Sequence, residues 1–118
     1  ISHGEIRLIG EIIAEPSKFP SVRTLGSVVR LDQSHGTAHI RYRDNELALD
    51  TSLLGSVIPL RNGSAYMLIG EIICQGNNYI FRPRVARNVD GMDFDLFERA
   101  LHVRRNFEAQ LLATRSFG

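Results

Sequence analysis

The sequence has no tryptophan, one cysteine and, among fourteen cationic residues, a single lysine, Lys18. With Cys74 alone, no internal disulfide can form, so a disulfide-stapled scaffold is excluded and a reducing compartment is expected. Uninterrupted apolar runs extend for only a few residues, against the ~18 or more that a membrane span needs. No charged segment followed by an apolar stretch opens the chain, so no secretory signal is expected, and Ile1–His3 carry no functional weight. Charge of one sign is also missing. A net charge of +1 is no electrostatic footprint for duplex DNA, so any nucleic-acid role must come from local patches. What is present is ordinary for a soluble domain: 118 residues, 43% hydrophobic and 23% charged. A chain of that size buries roughly two-thirds of its unfolded surface as one domain, without a staple or a repeat array. The cations are nearly all arginine, whose planar fork suits phosphates, carboxylates and polar interfaces.

From Arg23 to Val89 the dominant signals are those of strands. Ser21–Leu31 is rich in Val and Leu, with Gly26 inside it. After the turn Asp32–Gly36, Ile40 and Tyr42 alternate with His39, Arg41 and Arg43, which places the two sets on opposite faces of one strand. A turn at Asp44–Asn45 leads to Glu46–Asp50. Thr51–Asn62, with Gly55 and Pro59, is expected to be a connector with a short helical turn. Ala65–Cys74 holds Gly70. A hairpin loop at Gln75–Asn78 then gives Tyr79–Val89, where Pro83 demands an edge or a bulge. Five strands with short turns and two mid-strand glycines fit a small closed Greek-key barrel over residues 21–92. The hexapeptide LIGEII occurs at Leu8–Ile13 and again at Leu68–Ile73. The spacing predicts two similar apolar strands, so residues 1–20 are expected to add an N-terminal arm or an extra strand before the turn at Pro16–Pro20.

At Asp93 the period changes. Asp95 and Glu98 have capping-box spacing, and a helical pattern runs to about Thr114 within the segment 93–118. Leu96, Ala100, Val103, Phe107 and Leu111 fall on one face, which Phe97 and Leu101 broaden. The barrel end is expected to cover the first two turns and to leave Val103, Phe107 and Leu111 for a partner helix.

No catalytic constellation stands out: no nucleophile elbow, no phosphate-binding glycine loop and no His-Glu-x-x-His. No enzyme activity, cofactor or metal is therefore expected. His35 and His39 lack a third ligand, and Asp90, Asp93 and Asp95 lie where carboxylates cap a helix start. Arg41 with Arg43, and Arg82 with Arg84, share outer strand faces. In a barrel of the OB type such residues track a single-stranded backbone, while Tyr79, Tyr42 or Phe81 offer rings for stacking. The bland alternative is that Tyr42 and Phe81 fill the barrel and the arginines pair with neighbours such as Asp44 and Glu46.

Three motifs in order resemble the Ten-one family, the smallest subunits of the telomere-capping CST (Ctc–Stn–Ten) complex, single OB folds related to the smallest subunit of replication protein A. They are Ser21–Gly26, Gly63–Ile72 and, most specific, Arg87-Asn88-Val89-Asp90-Gly91-Met92-Asp93 followed by Leu96-Phe97 and Ala100-Leu101. The resemblance implies a nuclear, telomeric protein that docks through its C-terminal helix on the OB domain of a Stn-type subunit. Leu96, Phe97, Ala100, Leu101, Val103, Arg104, Phe107 and Leu111 are then the partner-binding residues. It also implies a large Ctc-type subunit, single-stranded telomeric DNA bound by the whole complex, and polymerase alpha–primase recruited for C-strand fill-in. Contact between DNA and this chain alone, through Arg41, Arg43, Tyr79, Arg82 and Arg84, is expected to be weak. A component of a replication protein A type complex and a free-standing single-strand-binding module are the alternatives.

Overall fold

A computed structural model describes residues 5–18, 21–54 and 60–116. In chain order the elements are β1 (Glu5–Ile6), α1 (Ile9–Ala14), a 3-10 turn at Pro16–Lys18, β2 (Ser21–Asp32), β3 (Thr37–Tyr42), β4 (Asn45–Asp50), β5 (Ala65–Gln75), β6 (Asn78–Asn88) and α2 (Phe94–Ser116). The strand order β1-β2-β3-β4-β6-β5 closes on itself because β2 also pairs with β5. The long β2 makes this possible: its first half pairs with β5, its second half with β3, and Ser27 lies opposite both Arg41 and Ala65. On the far side a single parallel pair, Leu49 with Phe81, joins β4 to β6. The five strands β2–β6 thus form the expected barrel.

Alternation drives the core. Ala38, Ile40 and Tyr42 of β3, Leu47 and Leu49 of β4, Leu68 of β5 and Phe81 of β6 all turn inward and are buried. Gly70 is required where β6 bulges past β5. A Cβ there would land on the Arg82 carbonyl oxygen and come within 2.5 Å of Pro83 Cα. Pro83 is accommodated at that bulge, as its missing N–H demands.

Two local expectations need correction. The β3–β4 turn is Arg43–Asp44, not Asp44–Asn45, and Arg43 takes a left-handed φ of +56°. It therefore leaves the strand face that it was expected to share with Arg41. The N-terminal LIGEII copy is not a strand: only Glu5–Ile6 pair, in parallel with β2, and Ile9–Ala14 is helical. The physical reason is its i, i+3 apolar spacing, which lets Ile9 and Ile12 plug the barrel, fully buried. Pro16 then ends the helix early. The connector opens, in line with expectation, on a turn in which the Leu54 N–H donates to the Thr51 carbonyl at 3.1 Å, while Gly55 and Pro59 lie outside the described residues.

Candidate functional site

The polypeptide enters α2 through Gly91, whose φ of +86° turns the chain, and Asp93, whose Oδ1 accepts the Leu96 N–H at 3.0 Å. Asp93 is thus the N-cap, two residues before the expected capping box. The other two aspartates do different work. Asp90 accepts the Ala65 N–H at 2.7 Å and the Asn88 amide at 3.0 Å, bonds that hold its carboxyl below the usual range. Asp95 accepts from Arg43 Nη2 at 2.6 Å.

One face of α2 is held to the barrel. Phe94 meets the Tyr42 ring edge-on with centroids 5.7 Å apart, Phe97 packs against the core, and Leu101 is buried. Glu98 accepts the Tyr42 hydroxyl at 2.5 Å and Arg43 Nε at 3.2 Å. Burial, with the Glu98 hydrogen bond and charge, pushes the Tyr42 hydroxyl up to about 12. Hydrogen bonds from the Arg43 guanidinium to Asp95 and Glu98 raise its already high pKa, and it lies 5.4 Å from the Tyr42 ring centroid. Further along, Arg105 pairs with Glu11 of α1.

The other face is bare. Leu96, Val103, Phe107 and Leu111 are 56%, 66%, 60% and 43% exposed, and Ala100 is exposed with them. This corrects the expected division of the helix. Leu96 and Ala100 are not covered by the barrel end, whereas Phe97 and Leu101, expected among the partner-binding residues, face the domain itself. At 3.6 residues per turn the two apolar faces are about 110° apart, so one periodicity hid two surfaces. Arg104 is exposed and pairs with Glu108 one turn on, at 3.1 Å.

The strand arginines are brought together only in part. Across the neighbouring strands β3, β4 and β6, Arg41 lies 3.7 Å from Glu46, and Arg82 donates to Asp50 at 3.2 Å. Arg84 lies 3.7 Å from Glu71, and Arg43 is engaged with α2. The surface is a mosaic of signs rather than a basic patch. Phe81 is fully buried and Tyr42 nearly so, which leaves Tyr79 as the exposed ring. It stands at the lip of a 260 Å³ cleft between α1 and the β5–β6 hairpin, lined in part by Ile13, Leu47 and Ile72. Among the described residues no group of three metal-capable side chains occurs, and no helix is long and apolar enough to cross a membrane. His35 pairs with Asp32 at 2.7 Å.

Sequence reasoning missed the α1 plug and the Arg105–Glu11 pair. Signals for the plug were present, with Glu11 three residues after Leu8, Ile9 and Ile12 three apart, and Pro16 as a stop; the pair, 94 positions apart, had none.

The family model described as telomere-capping, CST complex subunit (Ten1) matches residues 1–111. The CST complex subunit TEN1 of Arabidopsis thaliana is 42% identical over 52 residues, which span 42% of this chain and 41% of that protein. The aligned stretch is therefore less than half of that relative. A chain of the crystal structure of the S. pombe Stn1–Ten1 complex superposes with a TM-score of 0.73 at 14% identity, over 89% of this chain and 94% of that one. The telomere capping protein Ten1 from Saccharomyces pombe gives 0.72 at 14% identity, over 87% and 98%. At that identity the likeness speaks for the fold, an OB barrel followed by a helix. With its residues 1–111 matched by the family model, the chain belongs to the Ten1 family of telomere-capping CST complex subunits.

Proposed function

We propose that this chain is a small non-catalytic subunit of a nuclear, telomeric CST-type complex and docks on a Stn-type OB-fold subunit through the outer face of α2. The observation that carries this is the exposed stripe Leu96, Val103, Phe107 and Leu111 on a helix whose opposite face is held to the barrel as far as Arg105. The stripe runs about 22 Å at 1.5 Å per residue, long enough for a partner helix to lie along it. Phe107 is its largest anchor, since an aromatic side chain buries roughly 150–250 Å². Through that partner the chain joins a large Ctc-type subunit and supports C-strand fill-in by polymerase alpha–primase.

Co-expression with the Stn-type subunit, followed by pull-down, tests the docking. Phe107→Ala with Leu111→Ala is expected to abolish pairing while the isolated variant melts as the wild type does. Normal pairing would move the interface off this face, and a collapsed melt would return the stripe to the domain's own core.

The chain's own contact with single strands is weak and sequence-tolerant, because Arg41, Arg82 and Arg84 each have a carboxylate beside them. Tyr79, exposed and flanked by apolar walls, is its stacking ring. Three phosphate contacts would give a slope of log affinity on log salt of roughly −2, at about 0.7 per contact. Fluorescence anisotropy of the isolated chain on labelled oligonucleotides reads this directly. Tight, sequence-specific binding by this chain alone would overturn the docking-subunit assignment.

A further inference from the structure

Among the described residues, two polar clusters fasten α2 to the rest of the molecule. Near its start, Tyr42 and Arg43 hold Asp95 and Glu98. About three turns in, the Arg105 guanidinium donates to Glu11 Oε2 at 3.0 Å, to Glu11 Oε1 at 2.9 Å and to the Ile6 carbonyl at 2.7 Å. Every residue from Asn106 to Ala113 is exposed, so the helix beyond this point stands out from the barrel, its direction set at its root. Glu11 Oε1 also accepts the Leu8 N–H at 2.9 Å, at the start of α1. A six-residue helix does not hold alone, so the carboxylate that starts α1 is the same one that fixes α2.

We infer that the N-terminal segment Glu5–Ala14 positions the partner-binding helix, and that Arg105 is the positioning residue through which it acts. The inference rests on the outer face of α2 being the partner site. Arg105 lies about 160° around the helix from Phe107, on the side away from that face, at 3.6 residues per turn. Its loss therefore reaches pairing through the direction of the helix and not through a lost contact with the partner. A forked, two-oxygen Arg–carboxylate pair is suited to this because it fixes angle as well as distance.

The experiment has two arms. Affinity for the Stn-type subunit is measured by calorimetry for the wild type, Arg105→Met, Arg105→Lys, Glu11→Gln and the double variant Glu11→Gln/Arg105→Met. In the free chain, spin labels at Asn62→Cys and Ala113→Cys, in a Cys74→Ser background, report the distance from helix tip to barrel. Arg105→Met is expected to weaken pairing roughly five- to tenfold and to broaden that distance distribution. Arg105→Lys restores part of the affinity, since an ammonium keeps the charge but loses the fork. The double variant is expected to bind no worse than either single one, because both remove one interaction. Wild-type affinity for Arg105→Met overturns the inference, as does an unchanged distance distribution, which would mark a merely structural bond. Phe107→Ala/Leu111→Ala is run beside them. If that variant pairs normally, the partner site is elsewhere, and the distance distribution alone decides whether Arg105 sets the helix direction.

Discussion

The six residues Leu-Ile-Gly-Glu-Ile-Ile occur at 8–13 and 68–73, and the protein folds them in two ways. In the first copy they make most of α1 and bury Ile9 and Ile12, three apart. In the second they run through β5 and bury Leu68 and Gly70, two apart. Glu11 is drawn into the forked pair with Arg105, whereas Glu71 stays exposed with Arg84 3.7 Å away. The difference lies in the flanks. Ala14 favours a helix and Pro16 stops it within two turns. Ala65-Tyr66-Met67 and the Gly76–Asn77 hairpin instead offer the second copy a strand on either side, β2 and β6. Six residues set an apolar inventory. The period along which it is buried comes from what stands next to it.

The comparison is broken most severely at the isoleucines. Ile9→Ala removes a fully buried plug and is expected to cost about 4 kcal/mol, whereas Ile69→Ala, half-buried on β5, costs about 1 kcal/mol. Urea unfolding of the two variants gives the difference, and equal losses would mean that α1 is no part of the core. The glycines come next. Gly70→Ala drives a methyl into the β6 backbone and is expected to cost about 3 kcal/mol. At Gly10 the nearest obstacle is Asn45 Nδ2, 2.9 Å away at the end of a side chain, so Gly10→Ala is expected to lie within about 1 kcal/mol of the wild type. Thermal melts rank them, and the reverse order would refute the close approach at the bulge.

The glutamates give a smaller, pH-dependent effect. Partial burial pushes the Glu11 carboxyl up, but hydrogen bonds from Arg105 and the Leu8 amide, with the charges of Arg105 and Arg7, outweigh it and leave it below 4.5. A depressed carboxyl contributes stability that is present above its ordinary value and lost as pH falls through the native one. Glu11→Gln should therefore cost about 1 kcal/mol at neutral pH, and the deficit should close as pH falls below 4.5. Glu71→Gln, on the exposed face, is expected to stay within about 0.5 kcal/mol at neutral pH. Denaturant titrations at several pH values test this, and a Glu11 deficit that persists in acid would sink it. A last effect, of about the size of the Glu11 deficit, has the opposite sign. Thr24, the register partner of Leu68, is fully buried with Oγ1 lacking a hydrogen-bond partner among the described residues. Thr24→Val is expected to stabilise the fold by about 1 kcal/mol, read as a raised Tm.

The barrel was legible in the sequence because its signals are local. Alternation at Ala38–Tyr42 and Leu47–Leu49, the Gly76 hairpin and the Pro83 bulge each declare themselves within a few residues. The turn at Arg43 was not, since a left-handed arginine is disfavoured locally and is held by Asp95 and Glu98, more than fifty positions away. The partner helix was found but its faces were merged. Leu96 and Phe97 are adjacent in sequence, and only the docking of the helix on the barrel, through Phe94, Phe97 and Leu101, decides which of them turns inward. Arg105 carried no signal of its own, because nothing around residue 105 reveals that Glu11 will be its neighbour.

The strand β2 closes the barrel at Ser27, where one residue lies opposite both Arg41 and Ala65. Closure therefore waits for a segment synthesised much later. Ile9 and Ile12 emerge from the ribosome well before Leu68, and until β5 is made there is no cavity for them to plug. During that interval the first LIGEII copy and the half of β2 that will pair with the second copy are both unpartnered. The chain so carries its own transient competitor for β2, and Pro16, which has no N–H to donate to a strand ladder, limits how far that competitor can pair.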